Sequence, residues 1–211
     1  MSSYPEILFG FNRRISSRWV PYLLKTPITP NQITTLSLAC GMIAAFFLSH
    51  GLRPWLLAGA AFWQLAFILD NCDGAVARQK GLSSVSGMWY DFVADLLVDF
   101  SIWTGLGWAV YHHGGASYAL WTALAAAAGS LINFVLVAVR RTGGKTGKEA
   151  PPDPKNIFHT TLHVLSNDGD PTLLIWIFAL IGRPEYFLVL GCFYINFIWI
   201  AGVFTASKNK L

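Results

Sequence analysis

Long stretches without a charged side chain constrain this sequence of 211 residues more than any other feature. Residues 32–49 and 54–69 contain no charge, and residues 100–139 contain none either, with a predicted turn at His112-His113-Gly114-Gly115. A helix of about 20 apolar residues spans the hydrocarbon core of a bilayer. Only 12% of the residues are charged, about half the fraction that is usual in soluble domains. The sequence therefore predicts an all-α integral membrane protein and argues against a soluble enzyme or a disordered chain.

The apolar segments predict six membrane-spanning helices within a single domain, residues 1–211. The spans are expected at about 31–49, 54–78, 87–111, 117–140, 160–182 and 185–206, so the bundle covers residues 31–206. Residues 5–25 predict a preceding amphipathic helix that lies in the membrane interface. Its apolar residues recur at helical spacing: Leu8, Phe11, Ile15, Trp19 and Tyr22. Pro21 is expected to kink this helix or to end it early.

The positions of the basic residues predict the orientation of the chain. Every Lys and Arg except Arg53 and Arg183 falls near a terminus, in the links 79–86 and 141–155, or at the span ends beside them. Because cytoplasmic segments carry an excess of Lys and Arg, both termini are predicted to be cytoplasmic. The basic residues are spread along one membrane face, so nothing in the sequence indicates a nucleic-acid partner.

Five of the 11 acidic residues fall inside the second and third predicted spans: Asp70, Asp73, Asp91, Asp95 and Asp99. A charge at the centre of a membrane helix costs about 2.5–3.5 kcal/mol on insertion scales. Several ionised carboxylates close together therefore need compensation of about 10 kcal/mol. Protonation, bound cations or a water-filled cavity would each supply it.

The spacing of these aspartates predicts a shared oxygen-rich site. Asp70 and Asp73 are three residues apart and Asp91 and Asp95 are four apart, so each pair shares one helical face. If the two helices face each other, four carboxylates converge, and such sites suit Mg²⁺ or Mn²⁺ together with substrate phosphates. Arg78 lies two turns beyond Asp70, towards the basic cytoplasmic edge, where a phosphorylated substrate from the cytosol could enter.

These residues match a family pattern. Asp70-x2-Asp73-Gly74-x2-Ala77-Arg78-x8-Gly87-x3-Asp91-x3-Asp95 resembles the CDP-alcohol phosphotransferase signature at all eight fixed positions and in every gap. Residues 29–34 resemble the segment that precedes the first span of that family. The resemblance implies an N-terminal amphipathic helix, six spans and, in many members, a homodimer.

The resemblance also implies roles for individual residues. Asp70, Asp73, Asp91 and Asp95 resemble the carboxylates that hold a pair of divalent ions, Mg²⁺ or Mn²⁺, against the CDP diphosphate. Asp91 and Asp95 are the expected catalytic residues, with Asp95 as the general base. The expected CDP contacts are Asn31, Thr34, Asp70, Asp73, Gly74, Ala77, Arg78, Ser84 and Gly87. The candidates for binding the acceptor are Asp99, Arg140 and Arg141. Alternatively, Asp99 is a polar residue in a water-filled cavity or pairs across helices, and the arginines belong to an ordinary basic cytoplasmic loop.

The reaction implied by the resemblance is attack of an alcohol oxygen on the β-phosphorus of a CDP-linked donor, with release of CMP. The expected donor is CDP-diacylglycerol, and the expected product is a phospholipid. A soluble CDP-alcohol donor with a lipid or polyol-phosphate acceptor, including inositol phosphate, is the alternative. An intramembrane prenyltransferase and a cation transporter are further alternatives; the six spans argue against the first, and the lack of an internal repeat argues against the second.

Overall fold

The computed structural model describes residues 11–114, 117–142 and 172–208, and within them every regular element is an α-helix. The helices are α1 (Phe11–Leu24), α2 (Pro30–Leu48), α3 (Arg53–Lys80), α4 (Val85–Gly114), α5 (Tyr118–Thr142), α6 (Thr172–Ile181) and α7 (Pro184–Lys208). Five of them, α2 to α5 and α7, are long and apolar enough to cross a membrane. The prediction of an all-α, multi-pass membrane protein is confirmed.

Two of the sequence predictions fall partly outside the described residues. The structure does not describe residues 5–10 of the expected interfacial helix, nor the expected start of the fifth span near residue 160. The described part of that span, α6, has 10 residues.

Local sequence determines where the second and third helices begin and end. At the start of α2, Thr29 and Gln32 form a reciprocal capping box, in which the Gln32 N–H donates to Thr29 Oγ1 and the Thr29 N–H donates to Gln32 Oε1. Pro30 occupies the first helical position, where its missing N–H costs nothing. Gly81 ends α3 in the left-handed conformation, with φ 66°.

Two predicted helix ends were wrong. Of the two effects expected of Pro21, a kink or an early end, the early end is wrong, since α1 continues to Leu24. Buried Val20 packs in one cluster with Ile68, Cys72 and Val76, and these tertiary contacts outweigh the proline. The predicted turn at His112-His113-Gly114-Gly115 does not begin at its histidines, since α4 extends to Gly114. His113 Nε2 lies 2.6 Å from the His50 carbonyl oxygen, and this hydrogen bond fixes the last turn of α4.

The packing order of the helices positions the site. Helix α2 packs against both α3 and α4, while α1 lies against α3 and α5 lies against α4. Small residues let α2 and α4 approach closely: a Cβ on Gly105 would be 2.8 Å from the Ala45 carbonyl oxygen. The two aspartate-bearing helices are therefore held side by side by a shared neighbour.

Candidate active site

A cavity of about 430 Å³ is lined by residues of α1, α3, α4 and α5. Four aspartates line it, Asp70 and Asp73 from α3 and Asp91 and Asp95 from α4. The other described residues of its wall are Arg13, Asn71, Gly74, Arg78, Phe92, Asn133, Phe134 and Val137. The four carboxylates that the sequence singles out thus share one cavity, as expected if the two helical faces are turned towards each other.

Three of these carboxylates form a group that suits a divalent cation. Asp70, Asp91 and Asp95 each offer an oxygen, and the three oxygens lie within 4.8 Å of one another. Oxygens on opposite sides of one Mg²⁺ are about 4.2 Å apart. A hard cation with oxygen ligands therefore fits between them after small side-chain movements. A cation held there would offset the cost of placing these acidic side chains in apolar helices.

Asp73 is the most buried of the four and is held by a neighbouring helix. It is 5% exposed, and Thr34 Oγ1 of α2 donates a hydrogen bond of 2.6 Å to its Oδ2. Thr34 is itself 4% exposed. Thr34 is one of the residues predicted to contact CDP, and in the structure its hydroxyl lies on the Asp73 carboxylate.

The guanidinium of Arg78 lies close to a glycine of the same helix. A Cβ added to Gly74 would be 3.3 Å from Arg78 Nη1, so the absence of a side chain leaves room for this guanidinium beside the carboxylates. Arg78 is the basic residue that α3 contributes to the described cavity wall.

Three further residues predicted to contact CDP meet at the start of α4, outside the described wall of the cavity. The Gly87 N–H donates to Ser84 Oγ at 3.0 Å. A Cβ on Gly87 would be 3.3 Å from Asn31 Oδ1 and 3.0 Å from Ser84 Oγ, so this glycine keeps the α2 and α4 termini close. Ala77 lies on α3 one residue before Arg78 and is also absent from the described wall.

The residues predicted to bind the acceptor are not part of the described wall. Asp99 lies one turn beyond Asp95 and hydrogen-bonds with Ser130 of α5, whose Oγ also accepts from Trp103 Nε1 at 3.2 Å. This contact joins α4 to α5. Arg140 and Arg141 lie in the last turn of α5, and their side chains are outside the described set.

Sequence reasoning missed several residues of the cavity wall. Arg13 was assigned only to the interfacial helix, and its place in the wall depends on how α1 docks. Asn133 carried a usable signal, because it is an isolated amide in a charge-free segment of a predicted span. Phe92 and Phe134 pack edge to face at 5.0 Å and give the cavity an apolar side.

Comparison with known proteins identifies the family. The profile of CDP-alcohol phosphatidyltransferases matches residues 27–206. A bifunctional IPC transferase and DIPP synthase of Aquifex aeolicus is 29% identical over 201 residues, which is 95% of this chain and 44% of that protein. The chain thus spans less than half the length of this curated relative.

Solved structures of phosphatidylinositol phosphate synthase from Mycobacterium tuberculosis share the fold. The form with CDP-DAG bound aligns with a TM-score of 0.61 at 21% identity, covering 89% of this chain and 91% of that one. The form in complex with manganese and citrate aligns with a TM-score of 0.55 at 21% identity, covering 85% and 88%. The profile match extends over most of the sequence and includes all four cavity aspartates, and the chain belongs to the CDP-alcohol phosphatidyltransferase family.

Proposed function

We propose that this protein is a divalent-metal-dependent transferase that moves a substituted phosphate group from a CDP-linked donor to an alcohol, releasing CMP. The observation that carries the proposal is the convergence of Asp70, Asp91 and Asp95 within 4.8 Å, in a chain of this family. A transporter or a prenyltransferase gains no support from the family match.

Different residues of the cavity are proposed to bind the metal and the nucleotide. The four aspartates of the cavity would bind divalent cations, Mg²⁺ or Mn²⁺: Asp70, Asp91 and Asp95, with Asp73 beside them. The family resemblance implies two ions. When bound, the metal neutralises diphosphate charge and stabilises the departing phosphate. Arg78 would bind a diphosphate oxygen with a charge-assisted hydrogen bond. Asn31, Thr34, Gly74, Ala77, Ser84 and Gly87 complete the proposed nucleotide-binding set, with Thr34 acting through Asp73.

The proposed reaction is a displacement at the β-phosphorus of the donor. The acceptor oxygen forms a bond to this phosphorus, and the bond from the phosphorus to the bridging diphosphate oxygen breaks. That oxygen leaves with CMP. Asp95 accepts the proton of the acceptor hydroxyl, so charge does not accumulate on the attacking oxygen.

A lipid donor such as CDP-diacylglycerol is favoured by the apolar side of the cavity. Phe92, Phe134 and Val137 lie next to the carboxylates in the same wall, so a lipid chain and a diphosphate could be bound side by side. The structural relative from Mycobacterium tuberculosis has CDP-DAG bound, which supports the same choice. A soluble CDP-alcohol donor with a lipid or polyol-phosphate acceptor is the second candidate. Among polyol phosphates, inositol phosphate is favoured because the M. tuberculosis relative is a phosphatidylinositol phosphate synthase.

The membrane arrangement proposed for the chain follows from the basic residues and the family. We propose one domain over residues 1–211, an interfacial helix at 5–25 and six spans within 31–206. Both termini and the cavity would face the cytoplasm. A homodimer is proposed from the family resemblance, and Arg140 and Arg141 are retained as proposed acceptor contacts. For Asp99 we propose the alternative role, pairing across helices with Ser130.

The test is metal-dependent release of CMP by the purified protein in detergent. CDP-diacylglycerol and soluble CDP-alcohols would be offered as donors, each with polyols and polyol phosphates as acceptors. We expect release with Mg²⁺ or Mn²⁺, loss on chelation, and loss in Asp95→Asn. Ser101→Ala is the control, because Ser101 lies on α4 but its hydroxyl contacts the Met42 sulfur and it is absent from the described cavity wall. A folded wild type that binds neither CDP nor a divalent cation would contradict the proposal.

A further inference from the structure

The cavity wall contains a second basic residue, and this residue lies outside the region matched by the family profile. Arg13 lies on α1, whereas the profile begins at residue 27. Arg13 is one of the residues that line the same cavity as Asp70, Asp91 and Arg78. Among the described residues of this wall, Arg13 and Arg78 are the basic ones, and they come from different helices.

A buried polar network fixes the position of α1, and therefore of Arg13. The adjacent Asn12 is 2% exposed, and its Nδ2 donates to Thr172 Oγ1 of α6 at 3.2 Å. Its Oδ1 accepts a hydrogen bond from Gln64 Nε2 of α3, and Gln64 Oε1 in turn accepts from Trp176 Nε1 at 3.2 Å. Helix α1 is thus joined to α3 and α6 by specific hydrogen bonds, in addition to apolar packing.

The same face of α1 continues this attachment one and two turns later. Ser16 is 5% exposed, and its carbonyl oxygen accepts from the Cys72 thiol, which neighbours Asp73. Val20 is buried against Val76. Because α1 is docked along the helix that carries Asp70 and Asp73, Arg13 is presented to the cavity by a defined surface and not by a loose terminal segment.

The charges of the wall indicate what Arg13 would bind. Four carboxylates and two guanidinium groups line the described cavity, so its formal charge is negative before any cation enters. Phosphate groups need fixed positive charge to remain beside such carboxylates, and a guanidinium presents donors with a geometry matched to phosphate oxygens. Arg13 and Arg78 would supply this charge from two sides of the cavity.

We infer that Arg13 is a substrate-binding residue that holds a phosphate group in this cavity, an inference that rests on the proposed function. The phosphate belongs either to the diphosphate of the CDP-linked donor or to a phosphorylated acceptor. The N-terminal helix is then part of the substrate site as well as a membrane contact. Arg13 binds and orients substrate; it carries no proton in the reaction.

Binding measurements on the full chain in detergent test this inference without relying on turnover. The probes are CDP with Mn²⁺, inositol phosphate with Mn²⁺, and inorganic phosphate, each titrated against wild type, Arg13→Gln, Arg13→Lys and Arg14→Gln. Arg14 is the matched control, because it is an exposed neighbour on α1 that is absent from the described cavity wall. The unfolding temperature of each variant verifies that it is folded.

We expect Arg13→Gln to weaken phosphate-dependent binding roughly tenfold, the size of one charge-assisted hydrogen bond. Arg13→Lys should recover part of this loss, and Arg14→Gln should bind as wild type does. A loss seen with CDP assigns Arg13 to the donor, and a loss seen only with inositol phosphate assigns it to the acceptor. If wild type binds these probes and Arg13→Gln binds them equally well, the inference is overturned. If wild type binds inorganic phosphate through Arg13 but does not bind CDP, the proposed function fails while the phosphate site stands.

Discussion

Thr34 Oγ1 of α2 donates a hydrogen bond of 2.6 Å to Asp73 Oδ2 of α3, and both residues are buried. This bond connects a helix that contributes no residue to the described cavity wall with a carboxylate that does. A buried carboxylate with a fixed donor has a restricted orientation, as is seen for hydrogen-bonded partners of metal ligands. We therefore propose that Thr34 is a positioning residue for the carboxylate group.

Replacing Thr34 by Val should disturb the metal site more than the fold. Valine keeps the shape of the side chain but removes the hydroxyl, so Asp73 loses its donor. We expect metal affinity to fall about tenfold, in line with other residues that orient metal ligands. The measurement is the Mn²⁺ concentration that gives half-maximal CMP release.

Thr34→Ser is the matched variant, since it restores the hydroxyl without the methyl group. Its Mn²⁺ requirement should return towards that of wild type. An unchanged Mn²⁺ requirement in Thr34→Val would show that the hydrogen bond does not orient Asp73 for metal binding.

The sequence predicted the carboxylate group well because the spacing of aspartates within one helix is enough to place them on one face. Spacings of three and four residues place Asp70 with Asp73 and Asp91 with Asp95 on helical faces, whatever the rest of the fold does. Arg13 was missed because its position depends on contacts distant in sequence. The Asn12–Thr172 hydrogen bond joins residues 160 positions apart, and helical periodicity alone does not reveal such a contact. Pro21 shows the same limit, since packing of Val20 outweighs a local helix breaker.

Gly74→Ala should weaken nucleotide binding by displacing Arg78. The added Cβ would lie 3.3 Å from Arg78 Nη1, which is tight but can be relieved by movement of the flexible guanidinium. We expect CDP affinity to fall roughly fivefold, which corresponds to the lower end of overpacking costs. Titration of CDP in the presence of Mn²⁺ measures the effect.

Gly114→Ala is the control for this substitution, because a Cβ at Gly114 would have no atom within 4 Å. Both variants exchange a helical glycine for alanine, and Gly114 is the last residue of its helix. Equal CDP affinity in the two variants would contradict a steric role for Gly74.

Asn12→Leu should destabilise the attachment of α1 to the bundle. The substitution leaves Thr172 and Gln64 without the hydrogen bonds that Asn12 makes, in a buried position. We expect the free energy of unfolding to fall by about 1–2 kcal/mol, measured by denaturant titration in detergent. Ser17→Ala is the control, since the exposed Ser17 hydroxyl bonds only within its own helix, to the Arg14 carbonyl oxygen. A stability of Asn12→Leu equal to that of Ser17→Ala would indicate that the network does not secure α1.

Asp99 permits a direct choice between a structural and an acceptor-binding role. Its hydrogen bond with Ser130 joins α4 to α5, and Ser130 is 1% exposed and also accepts from Trp103. Asp99 is outside the described cavity wall, and Asp99→Asn retains a side-chain acceptor oxygen. We therefore expect this variant to leave the KM for the acceptor within about twofold of wild type, the scatter usual for a residue without substrate contact. Ser130→Ala removes the shared hydroxyl and should lower the free energy of unfolding by about 1 kcal/mol. The two measurements separate the roles. A raised acceptor KM in Asp99→Asn at unchanged stability would assign Asp99 to the acceptor site. A loss of stability in Ser130→Ala at constant KM assigns the pair to the packing of α4 against α5.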